Sequence, residues 1–329
     1  MTATLAVEQA LLITVQDLGR PAAQCYGVPL SGAMDRFALE IANRLVGNVP
    51  GAAALEITAG GAAFTVLAPT LLAITGADLC ATLDDRPLTT WTATIARPGS
   101  RLRLPGRQGA AGARSYLALA GGIAVPLLLG SASTCLPGGF GGFAGRPLRA
   151  GDVLECAAAQ PDPLHLAGRT WAMEARPGYS EQPVLRLLPG PHLDCFAADV
   201  LALLAQPLRI SADSNRMGYR LAGQPIRYAR PCNLPSFGVV PGAVQVPPDG
   251  VPILLMADAQ PTGGYPLVGV VIEPDLPLAA QLLPGDQLRF AVTTLAEARA
   301  AREQMQRWRE RRLAADERLE QLGWAGALD

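Results

Sequence analysis

The sequence predicts a mainly β protein of two related barrel-like units, with a few short helices and a charged helical tail. Three observations carry that prediction. First, from about residue 54 to residue 155 short apolar runs recur, among them ALEIT, AAFTV, TLLAIT, RLRL, SYLALA and DVLEC, separated by turn residues in GADL, LDDRP and RPGS. Short strands at such spacing make barrels or sandwiches. Second, a further strand-rich stretch runs from VLRLLPG to QLRFAV. Third, the two stretches close alike. RPLRAGDVLEC and AQLLPGDQLRF each carry a Gly-Asp turn that feeds a strand, and SGAMDR and SNRMGYR share a Ser, a Met three residues on and an Arg. Two copies of one barrel in a chain of 329 residues is the economical reading.

Taken in order, residues 1–160 form the first unit. A short strand, ALLITVQ, leads into the turn DLGRP. The stretch SGAMDRFALEIANRLVGN reads as a helix. Phe37, Ala38, Ile41, Ala42 and Leu45 fall on one face, Ser31 can cap the start, and Gly47 with Asn48 can close it. The strands named above follow. Residues 161–182, rich in Pro and Gly, form a linker or crossing segment. The second unit, 183–292, holds one predicted helix in DCFAADVLALLAQ, with Phe196, Val200 and Leu203 or Leu204 inward. In the tail, 293–329, arginines and acids alternate around a sparse stripe of Leu295, Met305, Trp308, Ala315, Leu319 and Leu322. It reads as a helix, either solvated and packed on the barrel or docking a partner or a second copy of the chain.

Composition excludes several chemistries. There is no lysine, so all 27 basic residues are arginines. A P-loop, a Schiff-base nucleophile and a Ser-x-x-Lys hydrolase all need that missing residue. No apolar run reaches the roughly 20 residues of a membrane-spanning helix. The first residues lack a basic leader, and Glu8 interrupts their apolar pattern, so no secretory signal and a cytoplasmic location are expected. A formal charge of −1 offers no global attraction to nucleic acid or an acidic membrane. The six cysteines are scattered and read as reduced, mostly buried thiols. His192 and Cys195 make one His-x-x-Cys pair with no second pair to complete it, so no metal site is expected. His165 lies in the linker, which argues against a Ser-His-Asp triad.

Four stretches concentrate polar chemistry. GGFGGFAG matches a dinucleotide fingerprint as a string (Gly139-x-Gly141-x-x-Ala144), but a turn and strand follow it where the fingerprint needs a helix. It reads as a glycine-rich loop, lining a cleft or purely structural. ADSNRMGYR places the turn formers Asp213, Ser214 and Asn215 beside Arg216 and Arg220, whose forks suit carboxylate, bicarbonate or phosphate. In VQVPPDG, Gln245 sits within an apolar strand, where an unpaired carboxamide would cost about 1–3 kcal/mol, so a specific partner or a pocket is expected. DAQPTGGYP packs Asp258, Gln260, Thr262, Gly263, Gly264 and Tyr265 onto a connection between two apolar strands. There the glycines permit positive φ or close backbone approach, so that their N–H groups can cradle an anion, while Tyr265 is expected to orient substrate and Asp258 with Gln260 to fix the loop or relay a proton.

The ordered set TVQDLGRP, GVPLSGAMDRFALEIANRLVGN, ALEITAGG, ITGAD, SYLALAGGI, GSAST, GGFGG, AGD, SNRMGYRL, GAVQVPPDG and DAQPTGGYPLVGVV, spanning about Thr14 to Phe290, resembles the biotin-dependent carboxyltransferase family, subdomains A and B, also called allophanate hydrolase subunit 2. Its bacterial stand-alone members include the C subunit of 5-oxoprolinase, an antagonist of a kinase inhibitor. The resemblance implies two cyclophilin-like barrels, the first as subdomain A and the second as subdomain B. It implies work with a 5-oxoprolinase B subunit, of the subdomain C and D type, and with an A subunit, using ATP with Mg2+ to open 5-oxoproline to glutamate. The alternatives are the carboxyltransferase of a biotin-dependent urea or amide carboxylase, and a non-catalytic regulator that sequesters its partner. Candidate catalytic residues are Asp258, Gln260, Gly264 and Tyr265. Candidate substrate or nucleotide contacts are Arg20, Asp35, Arg36, Asp213, Asn215, Arg216, Arg220, Gln245, Thr262 and Gly263. Phe237, Pro261 and Leu267 depart from the family's common pattern and bear on substrate choice.

Overall fold

The computed structural model describes residues 1–109, 111–157 and 163–307. In the first unit two sheets face each other. One orders Val153–Cys156, Thr2–Ala10, Ala62–Val66, Arg101–Leu104, Thr82–Leu83 and Arg86–Pro87. The other orders Ile13–Gln16, Ala54–Thr58, Arg114–Leu119, Thr70–Gly76 and Ala93–Ala96. Leu5, Ile13, Leu55, Ile57, Phe64, Leu72, Ile74, Leu102 and Leu117 fill the space between them, all buried. The predicted ALLITVQ strand is thus two strands, one in each sheet, with a turn at Leu11 and Leu12. The second unit is a closed barrel ordered Val184–Pro189, Leu267–Val271, Ala243–Gln245, Ile253–Leu255, Gly218–Ala222, Leu208–Ile210 and Gln287–Val292. Closure leaves this barrel no open edge. Thr262–Gly263 pairs with Phe237–Gly238 as a separate two-stranded ribbon.

The strand Arg114–Leu119 is buried along its whole length. Leu117 and Leu119 face the inter-sheet core, while Tyr116 and Ala118 face the helix Arg36–Leu45, which lies on the outside of the five-stranded sheet. A strand covered on both faces loses its polar alternation. The helix buries Phe37, Ala38, Ile41, Ala42 and Leu45 as its period requires, and Phe37 sits between the rings of Trp91 (6.2 Å) and Trp171 (6.3 Å). Its cap is Asp35, whose Oδ1 accepts the Ala38 N–H at 2.9 Å. Ser31 instead lies four residues earlier in a left-handed turn, φ 54°, which corrects its assignment as the cap. The helix in DCFAADVLALLAQ shrinks to Val200–Leu204. A helix covers 295–307; Trp308, Ala315, Leu319 and Leu322 of the expected tail stripe lie outside the described residues.

Cys195 and Cys232 are disulfide-bonded, Cα–Cα 5.9 Å, which corrects the reading of six reduced thiols. The fold brings together two cysteines 37 residues apart, by pairing Phe196 with Tyr228 and donating the Ala229 N–H to Cys195 O. With its sulfur bonded, Cys195 is not available as a metal ligand beside His192. The His192 Nδ1 accepts the Leu267 N–H at 3.2 Å, and its ring packs on Phe237.

Candidate active site

The two units are joined by a buried polar network. Its first member is Glu56, at the centre of Ala54–Thr58, directly opposite Tyr116 in the sheet register. Cross-strand partners share a face, so the Tyr116 hydroxyl reaches the Glu56 carboxylate at 2.8 Å. Arg114, two residues earlier on the same strand, lies on that face as well. From the second unit Arg216 donates to Glu56 through Nη1, to Asp258 through Nε (2.9 Å) and to Gly32 O through Nη2 (2.6 Å). Arg114 donates to Tyr219 Oη at 3.0 Å and to Ala280 O. Gln281 accepts the N–H groups of Ala113 and Arg114 and donates to Asp35 Oδ2, each at 2.9 Å. Tyr179 also donates to Asp35, at 2.7 Å.

Burial sets the electrostatics of these groups. It pushes the Glu56 carboxyl up, yet Arg216 and Arg114, with the Met34 N–H and Tyr116 hydroxyl, hold it below the usual carboxylate range. Asp35 has no cation beside it among the described residues. Burial raises its pKa, and the bonds from Tyr179, Ala38 and Gln281 offset only part of that rise. Burial likewise lifts the Tyr116 and Tyr179 phenols well above their ordinary value. The Arg216 guanidinium stays charged, since Glu56 and Asp258 outweigh its desolvation.

Some of the predicted residues fall in three separate clefts. Asn215, Arg216 and Asp258 meet in a cleft of about 370 Å³ between the units, with Arg114, Tyr219, Leu136 and Pro137. Gly264 and Tyr265 line a second cleft of about 410 Å³ with Tyr228, Pro231, Cys232 and Pro248. Arg36 lines a third, about 450 Å³, between its own helix and the helix 295–307. The loop 258–266 therefore meets SNRMGYR only at the Asp258 end. Arg220 turns to Asp249 at 2.8 Å, Asp213 and Thr262 are exposed, and Gln260 is half-buried. Gln245 is buried and donates to Tyr265 O at 3.2 Å, the partner its place in an apolar strand called for. Gly263 and Gly264 do not adopt positive φ, which corrects that half of the expectation, while close approach holds at Gly263. At Gly263 the constraint is contact, because a Cβ there would lie 2.9 Å from Gln245 Nε2. Asp35 is enclosed in the network, and Arg20 is buried in the first unit beside Ser133 and Phe140.

Sequence reasoning missed Glu56, Arg114, Tyr116, Tyr219 and Gln281. The signal for Glu56 was present, a single carboxylate between Leu55 and Ile57 in a strand that otherwise reads as core, where an unpaired charge would be too costly to keep.

Residues 26–292 match the family described as carboxyltransferase domain, subdomain A and B. The chain belongs to that family. Within it, the chain is 40% identical over 319 residues to the 5-oxoprolinase C subunit of Escherichia coli K12, covering 97% of each chain. It is 35% identical to the 5-oxoprolinase C subunit of Haemophilus influenzae, covering 87% of this chain and 89% of that one. The solved urea amidolyase of Kluyveromyces lactis shares the fold with a TM-score of 0.86 and 30% identity, over 93% of this chain and 20% of that one. In this carboxyltransferase-domain chain the match ends at the last barrel strand, so the helix 295–307 is an addition to the matched part.

Proposed function

We propose that this chain is the C subunit of a bacterial ATP-dependent 5-oxoprolinase, a cytoplasmic enzyme in which it works with the A and B subunits to open 5-oxoproline to L-glutamate. The carrying observation is the 40% identity to a 5-oxoprolinase C subunit along 97% of both chains, against about 32% identity to urea enzymes of which it covers 17–23%. A lactam resists water because its carbonyl is a weak electrophile and its nitrogen a poor leaving group. ATP supplies the activation, by phosphoryl transfer to the lactam oxygen. The chain's part is to bind and orient. In this reading the interdomain cleft receives the substrate, Arg216 and Asp258 hold its floor rigid, and Asn215 stands at its mouth. Tyr265, 46% exposed, orients a reactant from the second cleft. In this reading Mg2+ enters on the ATP phosphates.

A second reading, the carboxyltransferase part of a biotin-dependent urea or amide carboxylase, rests on the 0.86 TM-score to urea amidolyase. The sequence holds no lysine to carry biotin, so biotin would arrive on another chain. Reconstitution separates the two. ATP hydrolysis dependent on 5-oxoproline is expected only when the A and B subunits are both added to this chain. Full turnover by the chain alone would overturn the first reading, and turnover that requires carboxybiotin would establish the second.

A further inference from the structure

The glycine-rich loop 138–145 and Arg20 remain unused by the network above, and they lie together. Arg20 is 1% exposed. Its Nη2 donates to Ser133 O, but Nε and Nη1 have no hydrogen-bond partner among the described residues. The nearest carboxylates are occupied elsewhere. Asp17 accepts from Ser131, Ser133 and the N–H groups of Gly19 and Ala132, and Asp258 accepts from Arg216. A buried guanidinium with unmet donors is expensive to keep and points to a ligand.

The loop packs against the same guanidinium and carries further donors of its own. Phe140 covers the guanidinium at 5.1 Å. A Cβ at Gly141 would lie 3.0 Å from Arg20 Nη2 and collide with Ser133 O, and one at Gly142 would collide with Thr134 Oγ1. Only glycine allows this approach. Gly139, Gly141, Gly142, Ala144 and Gly145 all have positive φ, between 52° and 73°. The N–H groups of Gly141, Gly142, Phe143 and Ala144 find no acceptor among the described residues; Gly142 is buried, Gly141 and Phe143 are half-buried and Ala144 is exposed. Turns with such alternating handedness expose successive N–H groups as anion-binding concavities. Leu136 and Pro137, just before the loop, line the interdomain cleft with Arg216 and Asp258.

We propose that Arg20 and the backbone amides of residues 141–144 form an oxyanion subsite at one end of the interdomain cleft, closed by the Phe140 ring. The proposal rests on the 5-oxoprolinase reading for the ligand's source, which is either the carboxylate of 5-oxoproline or a phosphoryl group of ATP. The geometry of the donors is common to both.

The test uses hydrogen–deuterium exchange on the full chain, alone and assembled with the A and B subunits, with 5-oxoproline, inorganic phosphate or Mg-ATP as probes. At least one probe is expected to slow exchange in the peptide covering 138–145. Protection by 5-oxoproline alone assigns the carboxylate, and protection by phosphate or ATP assigns the phosphoryl group. Arg20→Met, close in size and without charge, is expected to weaken that probe about tenfold to a hundredfold, the loss of a charge-assisted contact. Unchanged exchange with every probe overturns the subsite, even if the complex turns over 5-oxoproline. Protection by phosphate in a chain that never supports 5-oxoproline turnover keeps the subsite and removes the 5-oxoprolinase reading. If Arg20→Met fails to fold, the wild-type exchange data decide alone. If it folds and binds every probe like wild type, Arg20 is structural and the proposal fails.

Discussion

At the scale of the residue, the boundary between the two units turns on a few charges placed where apolar side chains would be cheaper. Glu56 is the sharpest case. Arg216 and Arg114 both lean on it, so Glu56→Gln leaves two buried cations short of a partner. Removing one member of a buried ion pair costs about 3–5 kcal/mol, and chemical denaturation at pH 7 should show a loss of that size. The pH dependence has a definite sign. The folded pKa of Glu56 lies below its ordinary value. Its contribution is therefore present above the unfolded carboxylate range and is lost as pH falls through the lower folded value. Asp35 works the other way. Its folded pKa is raised, so its contribution is complete below the ordinary range and fades as pH rises through the folded value. Denaturation from pH 3 to pH 7 should show a weaker acid-side loss of stability in Glu56→Gln than in wild type, and identical profiles would remove Glu56 from its place as the hub. Arg216 and Asp258 stood out in the sequence because they sit in dense polar turns. Glu56, Arg114 and Gln281 did not, because a single polar residue inside a strand reveals its importance only when the opposing unit is in place.

At the scale of the element, the helix Arg36–Leu45 and most strands were legible because periodicity is a property of the chain itself. The true helix start was not, since Ser31 and Asp35 are both good caps and only backbone conformation separates them. The loop 258–266 was legible as a place of polar chemistry but not as a shape. Its two glycines can now be told apart. At Gly263 a Cβ would press on the buried Gln245 carboxamide, whereas at Gly264 the nearest atom, Leu234 O, would be 3.5 Å away. Gly263→Ala should lower the melting temperature. Gly264→Ala should melt like wild type, yet if the Gly264 N–H meets a developing oxyanion, turnover of the reconstituted complex should fall roughly 10²–10³-fold. Tyr265→Phe should lose less, about threefold to tenfold, as befits one neutral hydrogen bond. Full activity in both Gly264→Ala and Tyr265→Phe would leave the loop a structural corner between two strands.

At the scale of the whole molecule, two units that each close their own core are also bound to one another. Met34, from the turn before the first unit's helix, packs in the second unit's core, and Gln281 reaches back to Asp35, Ala113 and Arg114. Arg216 crosses the same boundary to Glu56 and Gly32. A boundary tied by buried charges differs from the wet, polar contact that lets domains move independently. Separating the units would take Arg216 from Glu56 and Gly32 O, and Arg114 from Tyr219 and Ala280 O, so neither unit can leave the other cheaply. The expectation is a single calorimetric transition for the wild-type chain, with equal calorimetric and van't Hoff enthalpies. Arg216→Met removes the fork that joins Asp258 to Glu56 and leaves both carboxylates buried. It should lower the transition by roughly 5–15 °C, given about 3–5 kcal/mol for a broken buried pair. It should also separate the unfolding of the two units, because the variant's weakest contacts are then those between them. Two resolved transitions already in the wild type, or a variant that melts with wild-type midpoint and cooperativity, would mean that each core carries its own unit and the network serves only to shape the cleft.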